Sequence, residues 1–287
     1  MQLIETHIVP KLEKSIRLQE YAVGIFKILP TKSGIKKAIK KELILVDGKT
    51  TSTAQFINGR ETIELFQPKE SVPFKRFKLE LEILFEDDFL AIIYKPSGIL
   101  VSGNSFATID NALPQNLQKS TQTDAVRPRP IHRLDYPTSG LLLVGKTNST
   151  IISLNKLFEK KEIQKTYHAI TICEMNSFGF INFTIDDKNA QTEYEVLKSV
   201  ISKRFGYLNL IQLKPKTGRK HQLRKHLLAI GNPILGDKEY YKENLILNGK
   251  GLYLHASSLE FIHPHTTEKI TITKELPKKF TKIFPEF

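Results

Sequence analysis

Apolar positions first recur at helical spacing and later at strand spacing, and the change divides the chain. In IRLQEYAVGIFKIL, Leu18, Tyr21, Ala22, Ile25 and Phe26 fall near one face of a helix that Pro30 stops. TKSGIKKAIKKE predicts a second helix, with Thr31 or Ser33 as N-cap and Ile35, Ala38 and Ile39 on its apolar face. Lys36, Lys37, Lys40 and Lys41 take the opposite face. ELILVDGKTT then predicts a hairpin turning at Asp47-Gly48, a dipeptide suited to a two-residue turn. QPKESVPFKRFK is polar, carries two prolines and has no apolar period, so residues 67–78 read as a linker.

Beyond the linker, strand patterns dominate. LELEILF alternates, Glu86-Asp87-Asp88 predicts a turn, and FLAIIYKP predicts a second strand ending at Pro96. Residues 105–129 are polar and weakly patterned, which predicts a loop with one short helix. A Pro-Thr-Ser-Gly turn opens into Leu141-Leu142-Leu143-Val144, which reads as a buried strand. Helices are expected near 149–160 and 221–230. Many strands and few helices point to an α+β domain around a largely antiparallel, mixed sheet. The expected organisation is an N-terminal arm over 1–13, a small α/β domain over 14–66, the linker, and the main domain over 79–287.

Composition narrows the class of partner. Forty-three Lys and Arg against 30 Asp and Glu leave a formal charge of +13, which favours a polyanion such as nucleic acid. An anionic membrane surface would be served by the same charge. No apolar run approaches the roughly 20 residues needed to span a bilayer, and MQLIETHIVPKLEK lacks the apolar centre of a signal peptide. A cytoplasmic location is therefore expected. The single cysteine, Cys173, rules out internal disulfides and a multi-cysteine zinc site, and its apolar setting AITICEM predicts a buried, inert thiol. His221 and His226 are five apart where a helical zinc pair needs four, and His263-Pro264-His265 has no cysteine or acidic companions. Asp186-Asp187 are neighbours in a polar turn and read as solvated. No metal is expected.

The candidate chemistry lies in HRLDYPTSGLLLVGKT, residues 132–147. Asp135 follows His132 and Arg133 at the edge of the apolar strand, and a carboxylate fixed beside a cation can serve as nucleophile or base. A turn-capping aspartate paired with Arg133 is the competing reading. The whole string closely resembles the active-site signature of the large-ribosomal-subunit (RluA-like) pseudouridine synthases. QKTYHAI at 164–170, KTGRKHQLRKHLLAIGNPILGD at 216–237 and GLYLHASSLEFIHPHT at 251–266 resemble the same family in the same order. The helix, lysine-bearing helix and hairpin of residues 14–66 resemble the alpha-L RNA-binding domain of the ribosomal protein S four type. They depart from it at Gln19 and at Gly59-Arg60, and the main domain departs from its family at Ser102-Gly103-Asn104.

The resemblance implies the pseudouridine synthase fold and an isomerase acting on RNA without metal or organic cofactor. It implies Asp135 as the nucleophile, Arg224 as its paired cation, and Tyr167 as the ring against the target base and a candidate for the carbon-5 proton. Sequence leaves open whether Asp135 attacks ribose or uracil. His132, Arg133, Arg219 and His221 are expected to contact RNA or line the pocket, with Lys36, Lys37, Lys40 and Lys41 supplying a basic RNA surface. The expected partner is ribosomal RNA, with transfer RNA as alternative because the Pro137-Thr138-Ser139 turn resembles the tRNA-modifying branch. A monomer is expected. The rival functions are a non-catalytic RNA-binding assembly factor, disfavoured by intact Asp135, Tyr167 and Arg224, and a metal-dependent hydrolase, disfavoured because no second carboxylate is placed to share an ion.

Overall fold

The structure, a computed structural model, describes residues 1–67 and 77–287. It divides into two compact units, Met1–Phe74 and Lys75–Phe287. Most of the predicted linker, residues 68–76, lies outside the described residues.

In the first unit, Thr31 caps the helix Lys32–Lys40 by accepting from the Gly34 amide. Ile35, Ala38 and Ile39 are buried as their spacing predicts, and Lys36, Lys37, Lys40 and Lys41 are exposed. Strands Ile44–Val46 and Lys49–Thr50 form the expected hairpin, with positive φ at both Asp47 and Gly48. Two expectations need correction. The first helix spans only Leu18–Tyr21. The chain then turns through Gly24, at φ +80°, while Leu18, Ala22 and Phe26 still reach the core. The β-branched and glycine content of Val23-Gly24-Ile25 favours turns over helix. Residues 1–13 are not a free arm either, because Gln2–Ile8 pairs antiparallel with Thr62–Gln67 at the edge of this unit's sheet.

The second unit is built on a ten-stranded sheet. Its central path runs Phe178–Ile181, Thr192–Ser202, Gly206–Pro215, Gln164–Ile172, Leu254–Ile262, Ser139–Thr147, Leu90–Lys95, Ile83–Glu86. All its pairings are antiparallel except that between Ser139–Thr147 and Leu254–Ile262. Strand Ser139–Thr147 reads as a continuous apolar run because both its faces are covered. Leu142 and Val144 join Ala91 and Ile93 against helix Ile109–Asn116 on one side. Leu141 and Leu143 join Leu90 and Ile92 against Leu154 of helix Asn148–Glu159 on the other. A one-residue slip would exchange the two sets, so packing fixes the register.

Residues 105–129 hold the expected short helix but also a strand the sequence did not suggest, Ala125–Pro130, beside Ser139–Thr147. Its alternating prolines hid it. Neither Pro128 nor Pro130 has an amide to give, and the strand lies off the sheet's main path, a position that tolerates proline. The helices expected near 149–160 and 221–230 are Asn148–Glu159 and Gln222–Ala229. Among the described residues no helix is long and apolar enough to cross a membrane.

Candidate active site

Three elements bring the predicted residues to one cleft of about 700 Å³ in the second unit. The first is the turn ahead of strand Ser139–Thr147. Thr138 N donates to the Asp135 carbonyl at 3.1 Å, closing the turn. Lys95, fully buried, ties it down by donating from Nζ to the carbonyls of Thr138 (2.7 Å), Pro96 (3.0 Å) and Tyr136 (3.4 Å). Burial pushes this ammonium down to about 8, with the Asp135 carboxylate opposing. Two residues beyond Thr138, Gly140 at φ +128° lets the chain pass against Ala256, whose backbone would collide with any Cβ there. Asp135 is thus set on a turn anchored to two neighbouring strands.

The second element is the loop entering helix Gln222–Ala229. The buried Gln222 side chain holds it, accepting from Arg219 N (3.0 Å) and Thr217 Oγ1 (2.7 Å) and donating to the Gln191 carbonyl (2.9 Å). His221 caps the helix in the left-handed region, at φ 54°, a conformation that non-glycine residues adopt rarely and mostly at constrained sites. Its Nε2 lies 3.8 Å from Asp135 Oδ1, and its Nδ1 lies 3.0 Å from the Tyr240 hydroxyl and 3.4 Å from Glu239. One helical turn on, Arg224 Nη1 lies 3.7 Å from Asp135 Oδ2.

Arg224 is buried, and its tightest partner is not Asp135. Its Nε and Nη2 each donate at 2.7 Å to Asp237, whose carboxylate is fully buried, and Nη2 also reaches Glu239 at 3.2 Å. Burial works against the guanidinium charge. The hydrogen bonds and attraction of Asp237, followed by Asp135 and Glu239, more than restore it. Asp135 pairs with a cation that a second carboxylate already fixes.

The third element is strand Gln164–Ile172. Tyr167 and, two residues earlier, Lys165 share its cleft-facing side. Burial, reinforced by Asp135, raises the Tyr167 phenol above its ordinary range.

The remaining predicted residues divide. His132 lines the cleft, yet its Nε2 accepts from Leu143 N at 3.1 Å and is committed to the adjacent strand. Burial, followed by Lys165, pushes it down to about 3, so it is neutral. Arg133 and Arg219 are exposed on the cleft rim, Arg219 with Nε on the Asn189 carbonyl at 3.1 Å. Lys36, Lys37, Lys40 and Lys41 belong to the other unit. Sequence reading missed Asp237, Gln222, Lys95 and Lys165. Asp237 and Gln222 stood within a quoted motif, and Lys95 sits at the same strand parity as Ala91 and Ile93, an inward position where a lysine needs a reason. Among the described residues no three His, Cys, Asp or Glu side chains are grouped to hold a metal. His226 is buried against Thr192 and Phe183 instead. Cys173 is only half-buried, with Lys242 Nζ 3.6 Å from its sulfur, rather than enclosed as expected.

Comparison with known proteins identifies the family. The family model described as RNA pseudouridylate synthase matches residues 89–229, which include Asp135, Tyr167 and Arg224. The ribosomal large subunit pseudouridine synthase C of Buchnera aphidicola is 34% identical over 236 residues, covering 75% of this chain and 74% of that protein. The chain belongs to the RNA pseudouridylate synthase family. A second relative of the synthase, the ribosomal large subunit pseudouridine synthase C of Rickettsia felis, is 30% identical over 306 residues, covering 95% of this chain and 97% of that protein. The tRNA pseudouridine synthase C of Vibrio vulnificus is 30% identical over 237 residues, covering 72% and 95%. Among solved structures, human RNA pseudouridylate synthase domain containing 4 aligns at a TM-score of 0.56 and 27% identity, covering 70% of this chain and 90% of that one. The synthase is therefore an isomerase that converts uridine to pseudouridine in RNA, on the mixed, mostly antiparallel sheet its sequence predicted. The family model does not extend to the first unit.

Proposed function

We propose that this synthase modifies large-subunit ribosomal RNA, with Asp135 as nucleophile, Arg224 as the cation that holds it and Tyr167 against the target base. The observation that carries the reading is Asp135 itself. Its carboxylate, 27% exposed in the cleft, faces Arg224 at 3.7 Å and His221 at 3.8 Å. A guanidinium at that range stabilises an ionised carboxylate and limits the directions it can point. The reaction breaks the bond from ribose C1′ to uracil N1, forms one from C1′ to C5, removes the C5 proton and returns a proton to N1. No electrons are exchanged and no group leaves, so the chemistry calls for no metal or organic cofactor. Attack by Asp135 on C1′ and attack on uracil C6 are both compatible with the cleft. A stacked uridine has to be extruded to reach Asp135, at a cost of a few kcal/mol, and exposed Arg133 is placed to take a phosphate or the vacated space.

A ribosomal target is supported by the names of the Buchnera and Rickettsia relatives. The lysine-bearing helix of the first unit supports an added RNA-binding surface of the alpha-L type. A transfer RNA target is the second reading, favoured by the Vibrio relative and by the Pro137-Thr138-Ser139 turn. Mapping pseudouridine across total RNA from cells with and without the gene separates them. The expected result is loss of discrete positions in large-subunit ribosomal RNA. Loss confined to tRNA selects the second reading, and no loss anywhere overturns both.

A further inference from the structure

We propose that Lys165 binds a backbone phosphate of the RNA strand inside the active-site cleft, and that this contact sets substrate affinity rather than the rate of isomerisation. The proposal rests on the reading of the cleft as the uridine site. Lys165 lies two residues before Tyr167 on strand Gln164–Ile172, so both side chains enter the cleft. Its stem is half-buried, and Nζ lies 5.7 Å from the centre of the Phe158 ring. Among the described residues no carboxylate lies within ion-pairing distance of it. Among the described residues Asp135 is the only carboxylate lining the cleft, and Arg224 and His221 already face it.

An ammonium drawn out of water without an anion is unfavourable, and desolvation alone lowers Lys165 here. The cleft is short of negative charge. Arg224 has Asp237, but among the described residues none of Lys165, Arg133, Arg219 and Lys220 has a carboxylate within ion-pairing distance. Uracil is neutral, so the charge an RNA substrate brings is on its phosphates, and of these four cations Lys165 is the least exposed. Access is open at Gly218, where a side chain would begin 3.9 Å from Nζ and none exists.

The test compares the full chain with Lys165→Met and Lys165→Arg on an in vitro transcribed, unmodified large-subunit ribosomal RNA and on a transcribed tRNA pool. Affinity is measured against salt in binding assays without turnover, and kcat and KM are measured separately. Lys165→Met should weaken affinity and raise KM roughly tenfold to hundredfold, as expected for loss of one charged hydrogen bond, with kcat within about twofold. The slope of log affinity against log salt should fall by about 0.7, the value for one phosphate on a single strand. Lys165→Arg, which keeps the charge, should recover most of both. Thermal melting checks that each variant is folded. Should Lys165→Met prove unfolded, the arginine variant decides, since unchanged charge with a tenfold loss of affinity would contradict a phosphate contact. An unchanged affinity and slope, or a loss confined to kcat, overturns the proposal. If the wild-type chain makes no pseudouridine in either RNA, the functional reading fails while the binding arms still judge Lys165.

Discussion

Arg224 gives its two strongest hydrogen bonds to Asp237, both at 2.7 Å, and offers Asp135 only the outer Nη1 at 3.7 Å. The planar fork explains the division. One edge of the guanidinium matches a carboxylate in bidentate fashion and fixes the group, which leaves the far nitrogen at a set position in the cleft. Glu239 and His221 extend this arrangement into a ring. Glu239 touches Arg224 at 3.2 Å and His221 at 3.4 Å, and both of these side chains face Asp135. Attraction between Asp135 and Arg224 is thus decoupled from the task of holding that guanidinium still.

Asp237 is accordingly a positioning residue. Asp237→Asn should lower kcat by about 10²-fold through misplacement of Arg224, with KM changed far less. Asp237→Ala leaves a buried guanidinium facing no carboxylate at its bidentate edge and should destabilise the second unit by roughly 3–5 kcal/mol in urea unfolding. Normal turnover in the asparagine variant would show that Asp135 and Glu239 hold Arg224 unaided.

Asp135→Asn should abolish isomerisation and leave RNA affinity within a few-fold, because the amide keeps the shape of the carboxylate and removes its nucleophilicity. The measurement is single-turnover conversion of transcribed RNA beside a binding titration. Residual turnover at even a few per cent of wild type would assign the nucleophile elsewhere.

Much of this site could be read before the structure was known, and the part that could not has a physical cause. The strand Leu141-Leu142-Leu143-Val144 and the capped helix after Thr31 follow from local pattern, and both formed where the pattern put them. The grouping of Asp135, Tyr167 and Arg224 came from resemblance alone, since residues 135, 167 and 224 meet only through the sheet order. Asp237 was invisible as a partner because its bond to Arg224 depends on how the chain after Gly236 folds back. At Gly236 φ is +78° and the Gly251 carbonyl leaves no room for a Cβ. His132 was expected from the resemblance to contact RNA or line the pocket, and it does line the cleft. Its bond to Leu143 N exists only once the loop lies along the strand. The first helix failed because spacing records which residues are buried, not whether the backbone between them is helical.

His132 also predicts a pH effect. Its folded value is pushed down to about 3, while an unfolded histidine titrates near 6.5. Between those values the unfolded chain binds a proton that the folded chain does not, so stability falls as pH drops from about 6.5 toward 3. His132→Gln removes the titration, and its amide oxygen can accept from Leu143 N. Its stability should therefore decline less steeply over that window than that of wild type, as measured by urea midpoints at successive pH values. Parallel curves for the two proteins would mean that His132 is solvated and free to protonate.

The lysines of the first unit make the last prediction. Lys36, Lys37, Lys40 and Lys41 stand exposed on one helix whose opposite face, Ile35, Ala38 and Ile39, is buried. Replacing all four by glutamine leaves that apolar face and the Thr31 cap untouched, so the unit should keep its fold and melting temperature. If the helix contacts RNA, each phosphate contact removed should lower the slope of log affinity against log salt by about 0.7–0.9. The loss should be nearly independent of RNA sequence, because phosphates carry none. Turnover at saturating RNA should change much less than affinity, since Asp135, Tyr167 and Arg224 are unaltered. An unchanged salt slope in the fourfold variant would leave the helix as a solvated face and remove the first unit from the binding surface.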